Sequence, residues 1–388
     1  MAERYYFDHN ATTPVADEVF AAMVACLRET FGNASSIHGF GQDARALVEK
    51  ARAQVGALLG CSANDIVFTS GGTESDNLAI LGSLRGKSGA RHLITTTIEH
   101  PAVLNVAQQL EREGVDVTWL AVGADGVVSP DDVRGALRPE TLMISIMAAN
   151  NELGTLQPID AIGAIAREAG VLFHTDGVQA AGKIPLDVEA LGLDFLALSA
   201  HKLYGPKGVG ALYIRKGRDV EPIQYGGTHE RRRRPGTENV PGIVGLGAAA
   251  KLALGTLPEE SARLSGLRDR LQQGALERIP GCWANAGGSP RTPNTANLGF
   301  EGVEGEALVI ALDLKGFAVS SGAACSSGAI EPSHVLTAIG LSRERAKSCL
   351  RFSLGKKTTA EQVDRLLETL AAVVERLRKL APATPSHA

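Results

Sequence analysis

Val171-Leu172-Phe173-His174-Thr175-Asp176-Gly177-Val178-Gln179 is an apolar run that closes on an acid. A short run without polar alternation reads as a strand covered on both faces, and such strands belong to parallel sheets sandwiched by helices. A carboxylate where this strand meets its loop stands at the edge where open α/β sheets bind ligands. Burying it is costly unless a cation or a strong donor meets it. Taken alone, Asp176 reads equally well as a helix N-cap.

The same texture recurs on either side, at 66–69, 92–95, 142–146 and 195–198, with amphipathic helix-like runs such as 43–59 and 159–168 between. This alternation predicts an α/β fold with a mostly parallel central sheet and helices on both faces. After Pro258 the texture changes. A helix is expected over 259–278, then a loop-rich stretch over 281–297, then a helix and a strand through Ser320. The final expected helix, 359–380, carries Leu366, Leu367, Leu370, Val373, Val374 and Leu377 on one stripe. The predicted organisation is a large domain over 14–258 and a smaller α+β domain formed by 1–13 and 259–388. The tail 382–388 reads as disordered.

Of 388 residues, 44% are hydrophobic and 21% charged, as in ordinary globular proteins. The net charge, 39 − 43 = −4, argues against broad contact with nucleic acid or anionic membrane. No apolar run reaches the roughly 18 residues of a membrane span. Met1 to Asn10, with Glu3, Arg4, Asp8 and His9, has no signal-peptide apolar region, so a cytoplasmic location is expected. Cys26, Cys61, Cys282, Cys325 and Cys349 are odd in number and scattered, which predicts free thiols. The histidines lack metal-ligand spacing, so no stable metal is expected.

Three motifs carry chemistry. Ile66-Val67-Phe68-Thr69-Ser70-Gly71-Gly72-Thr73 is a strand, two glycines and the start of a helix, whose free N–H groups and dipole suit a phosphate. Thr73 with Asp76 resembles a capping pair. A plain strand–turn–helix junction is the competing reading, since neither a P-loop nor a GxGxxG pattern is present. Leu196-Ala197-Leu198-Ser199-Ala200-His201-Lys202 delivers a lysine directly after an apolar strand. An amine in that place is expected to be desolvated and nucleophilic toward aldehydes, although a surface lysine at a strand end fits the pattern too. Asp176 and Lys202 close successive strands 26 positions apart. An acid for a pyridine nitrogen and a lysine for an aldehyde are what a pyridoxal 5'-phosphate enzyme needs.

At this point the chain resembles a known family, the cysteine desulfurases of the class-V aminotransferases, which have the fold-type-I architecture of pyridoxal-phosphate enzymes. The resemblance runs from Tyr5 to Gly355. It rests on Asp8-His9-Asn10-Ala11-Thr12-Thr13, Gly71-Gly72-Thr73-Glu74-Ser75, Glu99-His100, Asn150-Asn151-Glu152, Asp176-Gly177-Val178-Gln179, Ser199-Ala200-His201-Lys202, Arg234-Pro235-Gly236-Thr237-Glu238, Ser321-Gly322-Ala323-Ala324-Cys325 and Arg351-Phe352-Ser353-Leu354-Gly355. Each mark is weak alone; nine in order are specific.

The resemblance implies the following roles. Lys202 binds the cofactor aldehyde and moves protons. Asp176 holds the pyridine nitrogen protonated, Gln179 bonds the ring's phenolic oxygen, and His100 lies against the ring and takes part in proton transfer. Gly72, Thr73, Ser199 and His201 hold the phosphate. Thr237 reaches the phosphate of a neighbouring subunit, which implies a homodimer. Asn150 and Arg351 grip the substrate carboxylate, with Asn10 beside them; a bidentate clamp favours arginine over lysine. Taken singly, each has a bland rival: His100 as a loop histidine before Pro101, Asn150 and Asn151 as turn formers, Arg351 as a structural ion pair.

Cys325 selects the reaction. It sits in Ser320-Ser321-Gly322-Ala323-Ala324-Cys325-Ser326-Ser327-Gly328, a small, polar stretch that packs poorly and reads as an exposed mobile loop. Pro332 is expected to begin a helix at its first position. The resemblance implies that L-cysteine gives up its sulfur to the Cys325 thiolate, leaving alanine and a persulfide bound for an iron–sulfur scaffold protein. It also leaves room for Cys325 as a transient iron–sulfur ligand. The chain ends 37 residues after Arg351 (388 − 351), and with Glu331-Pro332-Ser333-His334-Val335-Leu336 this leans the reading toward the nitrogen-fixation branch.

Rival readings are a selenocysteine lyase, an aminotransferase or β-elimination lyase on the same fold, and a non-catalytic relative. The last would lack the lysine, the acid or the cysteine. For Arg231 to Arg234 nucleic-acid contact is the sharp reading, but the resemblance implies basic residues here near the dimer contact and the mouth of the site. Thr228 and His229 stand where the family more often has glycine and glutamine, which puts the local loop shape in doubt. His9 stands where the family often has asparagine, with no consequence attached.

Overall fold

A computed structural model describes residues 4–85, 89, 91–321 and 331–380. Cys325 and the tail 382–388 lie outside the described residues, so the expectations placed on them are not addressed by it. The strands are β1 Tyr5–Tyr6, β2 Ile66–Thr69, β3 His92–Thr96, β4 Asp116–Leu120, β5 Thr141–Ser145 and β6 Leu172–Asp176. There follow β7 Phe195–Ser199, β8 Gly210–Ile214, β9 Cys282–Ala284, β10 Thr295–Phe300, β11 Phe317–Ala318 and β12 Cys349–Ser353.

The main sheet has the order β2-β8-β7-β6-β5-β3-β4. β8 is antiparallel to both neighbours, and the remaining pairs are parallel. The mostly parallel α/β sheet expected from the sequence is therefore present. Its central strands β6 and β7 are buried almost throughout, which is why they read as unbroken apolar runs. A smaller sheet, β12-β10-β9, is antiparallel, and β1 pairs with β11. Asp8 pairs with Ser353, so the N-terminal segment runs along the small sheet before crossing to the main one.

The helix expected over 259–278 begins much earlier. It spans Val240–Arg278 and passes through Pro258. Its first part packs Ile243, Leu246, Ala249 and Ala250 into the main-sheet core. Its last part places Leu264, Leu271 and Ala275 in the core of the small sheet, beside the Leu366, Leu367 and Leu370 stripe of Ala360–Leu380. Tertiary burial on both sides of the proline outweighs its local penalty. The same helix corrects the expectation about apolar length: an 18-residue window of it has mean hydropathy 1.5. Much of this window is core, and Gly247 lies so close to Ala51 that a Cβ there would sit 2.6 Å from its Cα.

Candidate active site

The parallel strands end on one edge, and the loops beyond them enclose a cavity of about 650 Å³. β6 brings Asp176 and β7 brings Ser199, with Ala197 directly beside Asp176 in register. The close approach of Gly71 to β8 requires Gly210, whose Cβ would lie 2.6 Å from the Gly71 Cα. The helix Gly72–Leu84 then points its N-terminus at the cavity. A Cβ on Gly72 would meet Val178 Cγ2 at 2.7 Å, so a larger residue would have to displace the Val178 side chain in the loop after β6.

The expected capping pair is not formed. The N-cap is Gly71, which has no side chain to offer, and Asp76 is turned inward. Its Oδ1 lies 3.3 Å from His174 Nε2, both groups being buried. Glu74 takes up the cap-like role, accepting from Ser70 N at 2.7 Å while Arg234 Nε donates to its other oxygen at 2.8 Å. The helix start expected at Pro332 is also displaced. His334–Ala338 is capped by Ser333, whose Oγ accepts from Val335 N and Leu336 N and donates to Glu152 Oε2 at 2.5 Å.

Lys202 ends the short turn Ala200–Lys202 after β7 and donates to the carbonyls of Asn10 and Ala11 at 2.6 and 2.7 Å. Burial, with Arg351 nearby, lowers its amine to about 8. Asp176 faces the same cavity; burial raises its carboxyl above the usual range, against the pull of His100 and Lys202. Val178 N donates to its Oδ1 at 2.9 Å.

His100 caps Pro101–Arg112, its Nδ1 accepting from Ala102 N at 3.1 Å. That bond requires an unprotonated Nδ1, so the ring proton sits on Nε2. Burial keeps the ring neutral by lowering its pKa. His201 Nδ1 lies 3.1 Å from Thr12 Oγ1, and burial with Lys202 nearby lowers this ring to about 4. Arg351, on β12, donates to Asp8 Oδ1 at 2.7 Å and to the Asn151 carbonyl at 3.1 Å, while its Nε has no partner among the described residues. Asn10 belongs to both sheets' surroundings: its Nδ2 donates to Thr295 Oγ1, and its carbonyl receives Lys202 and Gln179.

The structure thus brings Asn10, Gly72, Thr73, His100, Asp176 and Gln179 to one cavity, together with Ser199, His201, Lys202 and Arg351. Asn150 is corrected. Its Oδ1 accepts from Glu152 N and Leu153 N and its Nδ2 donates to the Ile98 carbonyl, so it shapes a turn and is wholly buried. Asn151 lines the cavity in its place. Thr237 is exposed and is not in the cavity wall of its own chain. Sequence reasoning passed over Asp8, His334 and Lys183. Asp8 and His334 stood inside quoted motifs without a role; Lys183 lies four residues after Gln179 and gave no signal of its own.

A family model described as aminotransferase class-V matches residues 5–366. A cysteine desulfurase IscS of Methanosarcina thermophila is 50% identical over 383 residues, covering 98% of this chain and 95% of the relative. A cysteine desulfurase of Gluconacetobacter diazotrophicus is 48% identical over 379 residues, covering 97% and 95%. Among solved structures, a NifS-like protein superposes with TM-score 0.90 at 39% identity, covering 96% of this chain and all of that one. SspA in complex with cysteine gives TM-score 0.81 at 39% identity over 90% of this chain and 98% of that one.

Proposed function

Because the chain belongs to the class-V aminotransferases and, within them, to the cysteine desulfurases, we propose that it removes sulfur from L-cysteine with pyridoxal 5'-phosphate bound in the cavity. The observation that carries this is the pairing, in one cavity, of a desolvated lysine amine and a buried acid. The donor set fits the cofactor. Asp176 is a buried carboxyl wanting a cation, the N-terminus at Gly72 and Thr73 with Ser199 and His201 suits a phosphate, and Lys202 suits an aldehyde. Once bound, the cofactor supplies an electron sink that acidifies the substrate Cα–H and loosens the bond from carbon to sulfur.

The protein's own groups do the rest. Lys202 Nζ, near neutrality, takes and returns the Cα proton. His100 offers Nε2–H as a proton donor. Arg351 grips the substrate carboxylate, with its plane fixed by Asp8; Asn151 replaces Asn150 beside it. Gln179 would donate to the ring's phenolic oxygen. Cys325 attacks the substrate sulfur: the carbon–sulfur bond breaks, a sulfur–sulfur bond forms, and the carbon is protonated. L-cysteine and a thiol become L-alanine and a persulfide, with atoms in balance.

A homodimer with Thr237 reaching the partner's phosphate site, a cytoplasmic setting and an iron–sulfur scaffold as sulfur acceptor complete the proposal. Nitrogenase maturation is the narrower form of the last. The test is alanine and persulfide formation from L-cysteine by the purified, cofactor-loaded protein. Pyruvate release, or turnover confined to selenocysteine, would replace the reading with a lyase.

A further inference from the structure

Gln179 can donate to a ring oxygen only if its amide is held the right way round, and the two ends of a carboxamide differ in little but hydrogen bonding. Its Oε1 accepts from Lys183 Nζ at 2.7 Å. Its Nε2 donates to the Asn10 carbonyl at 3.0 Å, an oxygen already taken by Lys202 at 2.6 Å. Lys183 also donates to Asn10 Oδ1 at 3.1 Å. The Asn10 amide is fixed independently, since its Nδ2 donates to Thr295 Oγ1 and the Asn151 carbonyl, and its Oδ1 accepts from Asn294 Nδ2. Lys183 therefore meets two oxygens of settled identity. Charged or neutral, its amine has the two hydrogens they require.

Lys183 is not in the wall of the main cavity. It lines a small pocket behind Lys202 and reaches Gln179 from the rear. Among the described residues no carboxylate lies within ion-pair distance of it. Burial, with Lys202 and Arg351 nearby, pushes its amine well below the ordinary lysine value, as expected for an amine among neutral oxygens.

We propose that Lys183 is a positioning residue that pins Gln179 Oε1 from behind, so that the Nε2–H end is presented to the cofactor's phenolic oxygen. The inference rests on the cofactor reading given above. Without the lysine, Oε1 loses its donor, and only the Nε2 bond to the Asn10 carbonyl, an oxygen shared with Lys202, opposes turning the lone pairs toward the ring oxygen. A donor to an anion stabilises the deprotonated form, so losing it raises the pH at which the bound cofactor's visible band changes.

The experiment is a pH titration of visible absorbance on the holoenzyme and its variants. Lys183→Met should raise the midpoint by about one pH unit, a tenfold change in the equilibrium. Gln179→Ala should raise it similarly, the double variant should go no further than Gln179→Ala, and Lys183→Arg should restore it. A Lys183→Met midpoint that stays put while Gln179→Ala moves would overturn the inference alone. A lysine effect that persists without Gln179 would also overturn it, since the amine would then act through its charge. A Gln179→Ala midpoint that stays put would remove the assignment of Gln179 itself, and the inference with it. If the methionine variant does not fold, Lys183→Ala takes its place under the same outcomes.

Discussion

Cofactor capture by the apoprotein reads the state of Lys202, because only a neutral amine attacks an aldehyde. Burial and Arg351 bring this amine from 10.5 to about 8. The difference, 10.5 − 8, makes the neutral fraction at pH 7 about 300-fold larger than for an ordinary lysine. Stopped-flow uptake of pyridoxal phosphate should therefore accelerate about tenfold per pH unit below 8 and level off above it. A free amine of ordinary lysine basicity, measured in parallel, divides out the cofactor's own ionisations and should keep climbing through that range. Arg351 is the largest charge depressing Lys202, so Arg351→Met should move the bend upward. A wild-type rate that climbs without a bend to pH 9.5 would refute the reasoning, as would a bend that Arg351→Met leaves in place.

Cys325→Ala should abolish persulfide and alanine formation while the bound cofactor keeps its visible absorbance; retained turnover would remove Cys325 from the reaction. Ser333→Ala removes a helix cap and leaves Glu152 Oε2 without its hydroxyl donor, so urea unfolding should show a loss of about 1–3 kcal/mol. Burial raises Glu99 to about 8 and Glu152 to about 7. The unfolded chain releases these protons first, so stability from this source is present at low pH and declines as pH rises through those values. Glu99→Gln and Glu152→Gln should flatten that decline in denaturant titrations at several pH values. Pro258→Ala restores a backbone donor inside a continuous helix and should raise the urea midpoint by about 1–3 kcal/mol of stability; a lowered midpoint would contradict the helix's continuity.

What the sequence disclosed depended on whether a residue's surroundings are set locally. Ile66–Thr69 was read to the residue, because its apolar content and the glycines that follow decide the matter within a few positions. Lys202 and Asp176 were legible because strand ends carry their neighbours' positions with them. Pro258 misled, since the local rule for proline is sound and only the two cores on either side overrule it. Asn150 and Asn151 could not be told apart by pattern. The turn assigns one to the backbone and the other to the cavity, and that depends on bonds to Glu152 and Leu153. Asp76 looked like a cap because its spacing from Thr73 is right; the glycine at the cap position and the buried His174 draw it inward instead.

The buried charges treat Asp176 differently from the two acids packed near it, Asp76 and Glu99. Asp76 and Glu99 each feel the charge of Asp176 in a dry interior, where like charges resist joint ionisation. Asp76 lies beside His174, which burial holds neutral with its pKa near 3. Glu99 accepts from the Thr96 hydroxyl and Met147 N, both neutral donors, and its other oxygen has no partner among the described residues. Asp176 alone is pulled downward by His100 and Lys202. Burial raises all three carboxyls, and only at Asp176 do neighbouring basic groups pull back toward the ionised form. The His100 ring and the Lys202 amine thus set Asp176 apart from the other two buried acids through the fold itself.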